Sequence, residues 1–180
     1  MTRVGILYGG RSGEHEVSLH SAASVVHRLD TGRFRAVPIG ITRNGEWFSQ
    51  DSARVAREAA EDGVLTISAA EADRVSVIPA RGLVVAGENL GVDVVFPVLH
   101  GSFGEDGTVQ GLLEIAGIPY VGAAVLGSSL GMDKELAKHL WKHAGLPTVA
   151  FHTFRREDLV DAEDEIDGER LLRSTRQVAR

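Results

Sequence analysis

The strand predicted over Arg3 to Tyr8 is continuous in its apolar character, and it stops at Gly9-Gly10. A run without polar alternation is what a strand covered on both faces requires, so it points to a buried parallel sheet. Behind the glycines, Val17, Ala22, Val25, Val26 and Leu29 fall at helical spacing, which predicts an amphipathic helix over residues 15 to 29. A second strand from Phe34 to Thr42 then closes a β-α-β unit. The fold class that follows is α/β, built on a parallel sheet.

The remaining punctuation fits that class. Arg43-Asn44-Gly45 is a hairpin-type turn into Glu46-Trp47-Phe48. A short helix is predicted over Ala53 to Ala60, with strands over Val64 to Ile67 and Val75 to Ile78. Val92 to Leu99 reads as another buried strand, ending at His100-Gly101. Asp106 is placed to cap a helix that carries Val109, Leu112, Leu113 and Ala116 and stops at Gly117. Ile118 to Gly122 reads as extended, and the small residues from Ala123 to Gly131 suit close packing. Leu136, Ala137, Leu140, Trp141 and Ala144 mark a helix ended by Gly145 and Pro147, with a strand predicted from Thr148 to Phe154. Residues 155 to 180 alternate acidic and basic clusters, as in a solvated helix or a partly ordered end.

A formal charge of −6 argues against a sequence-independent grip on nucleic acid, which needs a basic face to replace counterions. Without cysteine, neither disulfides nor thiolate metal sites can form, and a cytoplasmic location is allowed. No apolar stretch approaches the roughly 20 residues needed to cross a bilayer, so no membrane role is expected.

Chemistry in such a fold collects beyond the carboxyl ends of the strands. If the first strand and the strand before His100 are parallel neighbours, Glu14 and His100 face one crevice. Glu14 opens a helix, where the partial positive charge of the free amides favours an ionised carboxylate. It is then suited to bind an ammonium group, or is simply a favourable first-turn residue. A dinucleotide fingerprint is broken, because the register Tyr8-x-Gly10-x-x-Gly13 puts tyrosine where the first glycine belongs. His100 is a ligand-facing imidazole or a packed structural one. His139 and His143 stand four apart but lack the carboxylate that completes a metal motif. Lys134 sits in a helix's first turn, where a cation opposes the dipole, so a phosphate or the neighbouring Asp133 and Glu135 must compensate.

Three ordered motifs carry a resemblance: Gly9-Gly10-Arg11-Ser12-Gly13-Glu14-His15-Glu16-Val17-Ser18-Leu19; Leu99-His100-Gly101 with Gly104 to Gly111; and Ile118 to Gly122 running on to Met132-Asp133-Lys134. Together they resemble the amino-terminal part of the D-alanine:D-alanine ligases, ATP-grasp enzymes of peptidoglycan precursor synthesis. The resemblance implies a Rossmann-like substrate domain over residues 1–122, followed over 123–180 by the opening elements of an ATP-grasp domain. It implies ATP and Mg²⁺ as cofactors, D-alanine as substrate, a homodimer, and a reaction in which the first D-alanine is activated as an acyl phosphate. By motif position, Glu14 would anchor the ammonium of the first D-alanine at the catalytic centre and Val17 would line its pocket. His100 would lie near that substrate's carboxylate, and Lys134 would meet ATP phosphate.

The family's second phosphate lysine, lid, transition-state arginine and acidic magnesium ligands belong downstream and have no counterpart in these residues. This chain alone is therefore expected to lack turnover. Two other readings stand beside it: a Rossmann-like nucleotide or small-ligand module, and a non-catalytic dimerisation domain.

Overall fold

The structure, a computed structural model, describes residues 1–154. The chain divides into two compact units, Met1–Asp133 and Lys134–Arg180.

In the first unit, β1 (Thr2–Gly9), β2 (Phe34–Ile41), β3 (Trp47–Ser49) and β7 (Val94–Pro97) form one sheet in the order β3-β2-β1-β7. β1 is parallel to both neighbours, with Leu7 opposite Ile39 on one side and Pro97 on the other. β3 returns antiparallel through the predicted turn at Gly45, whose φ is +87°. Val121 N–H donates to Val95 O and Val95 N–H to Pro119 O, so the predicted extended piece lies along β7 as a single bridge at Tyr120 and bends away at Val121 and Gly122.

The two-residue alternation of β1 sorts its side chains between two cores. Val4, Ile6 and Tyr8 pack with Leu19, Ala22 and Ala23 of α1 (His15–Arg28) and with Val55 and Ala59 of α2 (Ser52–Glu61). Leu7 faces the other way, with Ile39, Val95 and Leu99, toward Val109, Leu113 and Ala116 of α3 (Thr108–Ala116). That second face is completed by Val75 and Leu83 from a small antiparallel sheet of β4 (Val75–Ile78), β5 (Gly82–Val85) and β6 (Glu88–Asn89). The structure is thus the expected α/β class, with cover on both sheet faces.

Three local expectations are corrected in this unit. Val64 to Ile67 is not a strand, because side chains take its backbone groups. Thr66 N–H donates to Glu58 Oε2 at 2.9 Å, Tyr8 hydroxyl donates to Thr66 O at 3.0 Å, and Gln50 Oε1 accepts Ser68 N–H at 2.8 Å. Val17 is not on the buried face of α1. That face is His15, Ser18, Leu19, Ala22 and Ala23, and Val17 is 49% exposed. Most of the run Ala123 to Gly131 lies in α4 (Val125–Met132), which buries none of its residues, although a Cβ on Gly107 would lie 2.5 Å from Ser129 Oγ.

The second unit opens with α5 (Lys134–His143), which buries Ala137 and ends at Gly145, φ +74°. Leu146 N–H donates to Trp141 O and Gly145 N–H to Lys142 O, a terminating pattern that glycine permits. His139 meets the Phe151 ring edge-on, 5.3 Å between centroids. Thr148 to Phe154 forms no strand. The predicted solvated tail, residues 155–180, lies outside the described residues.

Candidate functional site

Two loops leave adjacent parallel strands at their carboxyl ends and meet. The first follows β1, where Gly9 and Gly10 take φ of +89° and +98°. Gly9, and Gly101 on the second loop, are the tight positions. A Cβ on Gly9 would stand 2.3 Å from Ile41 O, and a Cβ on Gly101 would stand 2.8 Å from Glu14 Oε2.

The glycine turn is held by side chains that sequence reading left unassigned. Ser18 is fully buried; its hydroxyl accepts Gly9 N–H at 2.8 Å and donates to Val98 O, which pins the end of β1 to the end of β7. His15 Nδ1 is 2.7 Å from Gly10 O, Gly10 N–H donates to Ile41 O, and Glu14 N–H donates to Ser12 Oγ. Because these amides are used internally, the turn is a poor phosphate cradle. Tyr8, in the first position of the broken fingerprint, is buried against Thr66, and burial raises its phenol pKa.

The second loop follows β7. His100 is part-buried, its Nε2 is 3.0 Å from Ser21 Oγ, and its Nδ1 is 4.0 Å from Glu105 Oε1. Glu105 Oε2 accepts Gly101 N–H at 2.8 Å. Asp106 does serve the helix start: Oδ1 accepts Thr108 N–H at 3.0 Å and Oδ2 accepts Phe103 N–H at 2.8 Å. Burial opposes ionisation of Asp106, but these bonds and that from the Thr108 hydroxyl outweigh it and hold its pKa below the usual range.

Between the loops lies a cleft of about 190 Å³, with Gly10, Ser12, Trp47, Leu99, His100 and Phe103 among its walls. Arg11 spans it, stacked 4.8 Å over the Phe103 ring. Phe103 holds φ +66°, a backbone region costly for a side-chain-bearing residue.

The structure brings Glu14 against Gly101, the residue after His100; His100 lines the cleft, whereas Glu14 stands beside it and is not among the lining residues. Glu14 is exposed, so its carboxylate is open to a ligand. Val17 is exposed on the same stripe of α1 as Glu14 and Ser21, which recur at three- and four-residue spacing. Lys134 is the first residue of α5, in the second unit. Ser18, Ser21 and Glu105 were missed because hydroxyls on a helix and an acid in a loop carry no periodic signal. The only sequence hint was small polar residues on a face that had to meet a sheet.

An open α/β sheet with a crevice beyond the carboxyl ends of its central strands defines a small-ligand-binding domain of the doubly wound type. The family model described as D-ala D-ala ligase N-terminus matches residues 3–123. The chain belongs to that family. It is 46% identical over 170 residues to the D-alanine--D-alanine ligase of Natranaerobius thermophilus, covering 91% of this chain and 45% of that protein. With the ligase of Mycobacterium sp. (strain KMS) the identity is 52% over 157 residues, 81% of this chain and 42% of that protein. The chain thus spans a little under half the length of these curated relatives. Among solved structures, the D-alanine-D-alanine ligase from Coxiella burnetii aligns with a TM-score of 0.75 at 30% identity, over 97% of this chain and 50% of that one. The VanG D-Ala:D-Ser ligase from Enterococcus faecalis aligns at 0.65 and 39%, over 80% of this chain and 42% of that one.

Proposed function

We propose that these residues form the first-substrate half of a D-alanine:D-alanine ligase acting in peptidoglycan precursor synthesis, with residues 1–122 as substrate domain and 123–180 beginning the ATP-grasp domain. The observation that carries the reading is the exposed Glu14 carboxylate lying against Gly101, beside His100. A zwitterion matches that arrangement: Glu14 accepts from the ammonium, the imidazole lies on the side of the carboxylate, and Val17 closes the methyl side.

ATP, when bound, supplies the phosphoryl group that activates the carboxylate, and Lys134 is the residue of this chain assigned to its phosphates. Among the described residues no three His, Asp or Glu side chains gather to hold a metal ion, so these residues do not by themselves form a magnesium site. The residues present bind and orient; turnover by these 180 residues alone is not expected. No helix among the described residues is long and apolar enough to cross a membrane. A second copy is a further proposed partner, favoured by Ile115 and Leu126, 72% and 71% exposed.

The test is amide chemical-shift titration of the chain with D-alanine and L-alanine. D-alanine should move the Glu14, Gly101 and Ser102 resonances selectively, and Glu14→Gln should weaken binding about 10- to 100-fold, the worth of a charge-assisted hydrogen bond. Equal responses to both enantiomers, or wild-type affinity in Glu14→Gln, would refute the reading.

A further inference from the structure

The His100 ring hydrogen-bonds one side chain and faces another, each from a different element. Ser21 of α1 reaches Nε2 at 3.0 Å, and Glu105 of the following loop stands 4.0 Å from Nδ1. The Glu105 carboxylate is itself locked, because its other oxygen accepts Gly101 N–H. A carboxylate facing Nδ1 favours the proton there and leaves the Nε2 lone pair for a hydroxyl donor.

We propose that Ser21 is a positioning residue for His100: its hydroxyl donates to Nε2 and so fixes the orientation and tautomer of the ring at the wall of the cleft. The helix makes this useful. Glu14 and Ser21 are two turns apart on one stripe of α1, so a single rigid element sets both the ammonium anchor and the placement of the imidazole. No covalent step is involved. The proposal rests on the reading of the crevice as the place of the first D-alanine only for its consequence in binding; the Ser21 contact itself stands on geometry.

The experiment compares the 180-residue chain with Ser21→Ala and Ser21→Thr, using two-bond ¹H-¹⁵N spectra of the His100 ring and titration with D-alanine. Alanine is a better helix former than serine, so folding should survive, and the amide spectrum checks that it does. The wild-type ring should show the Nδ1–H tautomer, Ser21→Ala a mixture, and Ser21→Thr the wild-type pattern. D-alanine affinity should fall about 3- to 10-fold in Ser21→Ala and return in Ser21→Thr, the worth of one hydrogen bond. A ring pattern unchanged by Ser21→Ala, or not restored by threonine, overturns the proposal. A changed ring with no D-alanine binding even in wild type would instead remove the ligase reading and leave the Ser21 contact in place.

Discussion

The Glu14 carboxylate occupies the space that a side chain at Gly101 would need: a Cβ at residue 101 would stand 2.8 Å from Oε2 and 3.3 Å from Ser12 Cβ, at a φ of +68°. Gly101→Ala should therefore act twice. The left-handed backbone costs about 1–2 kcal/mol for a residue with a Cβ, and the displaced carboxylate should weaken D-alanine binding more than the loss of stability explains. Thermal unfolding and D-alanine titration of the same variant separate the two effects. Wild-type affinity would show that Glu14 does not need its place against Gly101.

Ser18→Ala removes the hydroxyl that serves Gly9 N–H and Val98 O at a fully buried position. Leaving two buried groups without partners should cost roughly 2–4 kcal/mol. Urea unfolding measures it, and a cost under about 0.5 kcal/mol, the usual range for a surface change, would mean that water or a backbone shift replaces the hydroxyl.

Glu58 gives an acid-range signature. Burial alone would raise its pKa, but hydrogen bonds from Thr66 N–H and hydroxyl and from Arg54 outweigh it and hold the carboxyl below its ordinary value. A carboxyl with a lowered folded pKa contributes stability that is present above its unfolded value, about 4.3, and is lost as pH falls through the folded value. Glu58→Gln should cost about 1.5–3 kcal/mol at neutral pH and lose less further stability on acidification. Melting temperature against pH is the measurement; parallel curves for variant and wild type would contradict it.

Gly40 lies under Ile67, whose two Cγ atoms would each be 2.9 Å from an added Cβ. Gly40→Ala should cost about 1–3 kcal/mol by overpacking. In an Ile67→Ala background the same change should cost less, because the crowded atoms are gone. Equal costs in both backgrounds would place the strain elsewhere.

The Ile67 contact also shows why part of the fold was hidden in the sequence. Val64 to Ile67 has strand composition, yet its hydrogen bonds go to Glu58, Tyr8 and Leu19. Local propensity gives no account of a side chain eight residues back that competes for a backbone amide. The same blindness covered Val17, whose apolar character placed it on the packed face while the sheet chose the stripe of Ser18, Leu19 and Ala22. The glycine turn, the β-α-β unit and the α3 boundaries were legible, because each rests on short-range sterics or periodicity.

What the amino-acid order determined alone was the set of elements and their apolar faces: alternation in β1 sorts Val4, Ile6 and Tyr8 from Leu7, and glycines end helices where only they fit. What tertiary structure decided was partnership across the chain. Ser21 and His100 are 79 residues apart and meet only because β7 pairs in parallel with β1, Val4 opposite Val94. Register is a property of two strands together with the layers that cover them, so no local pattern could contain it.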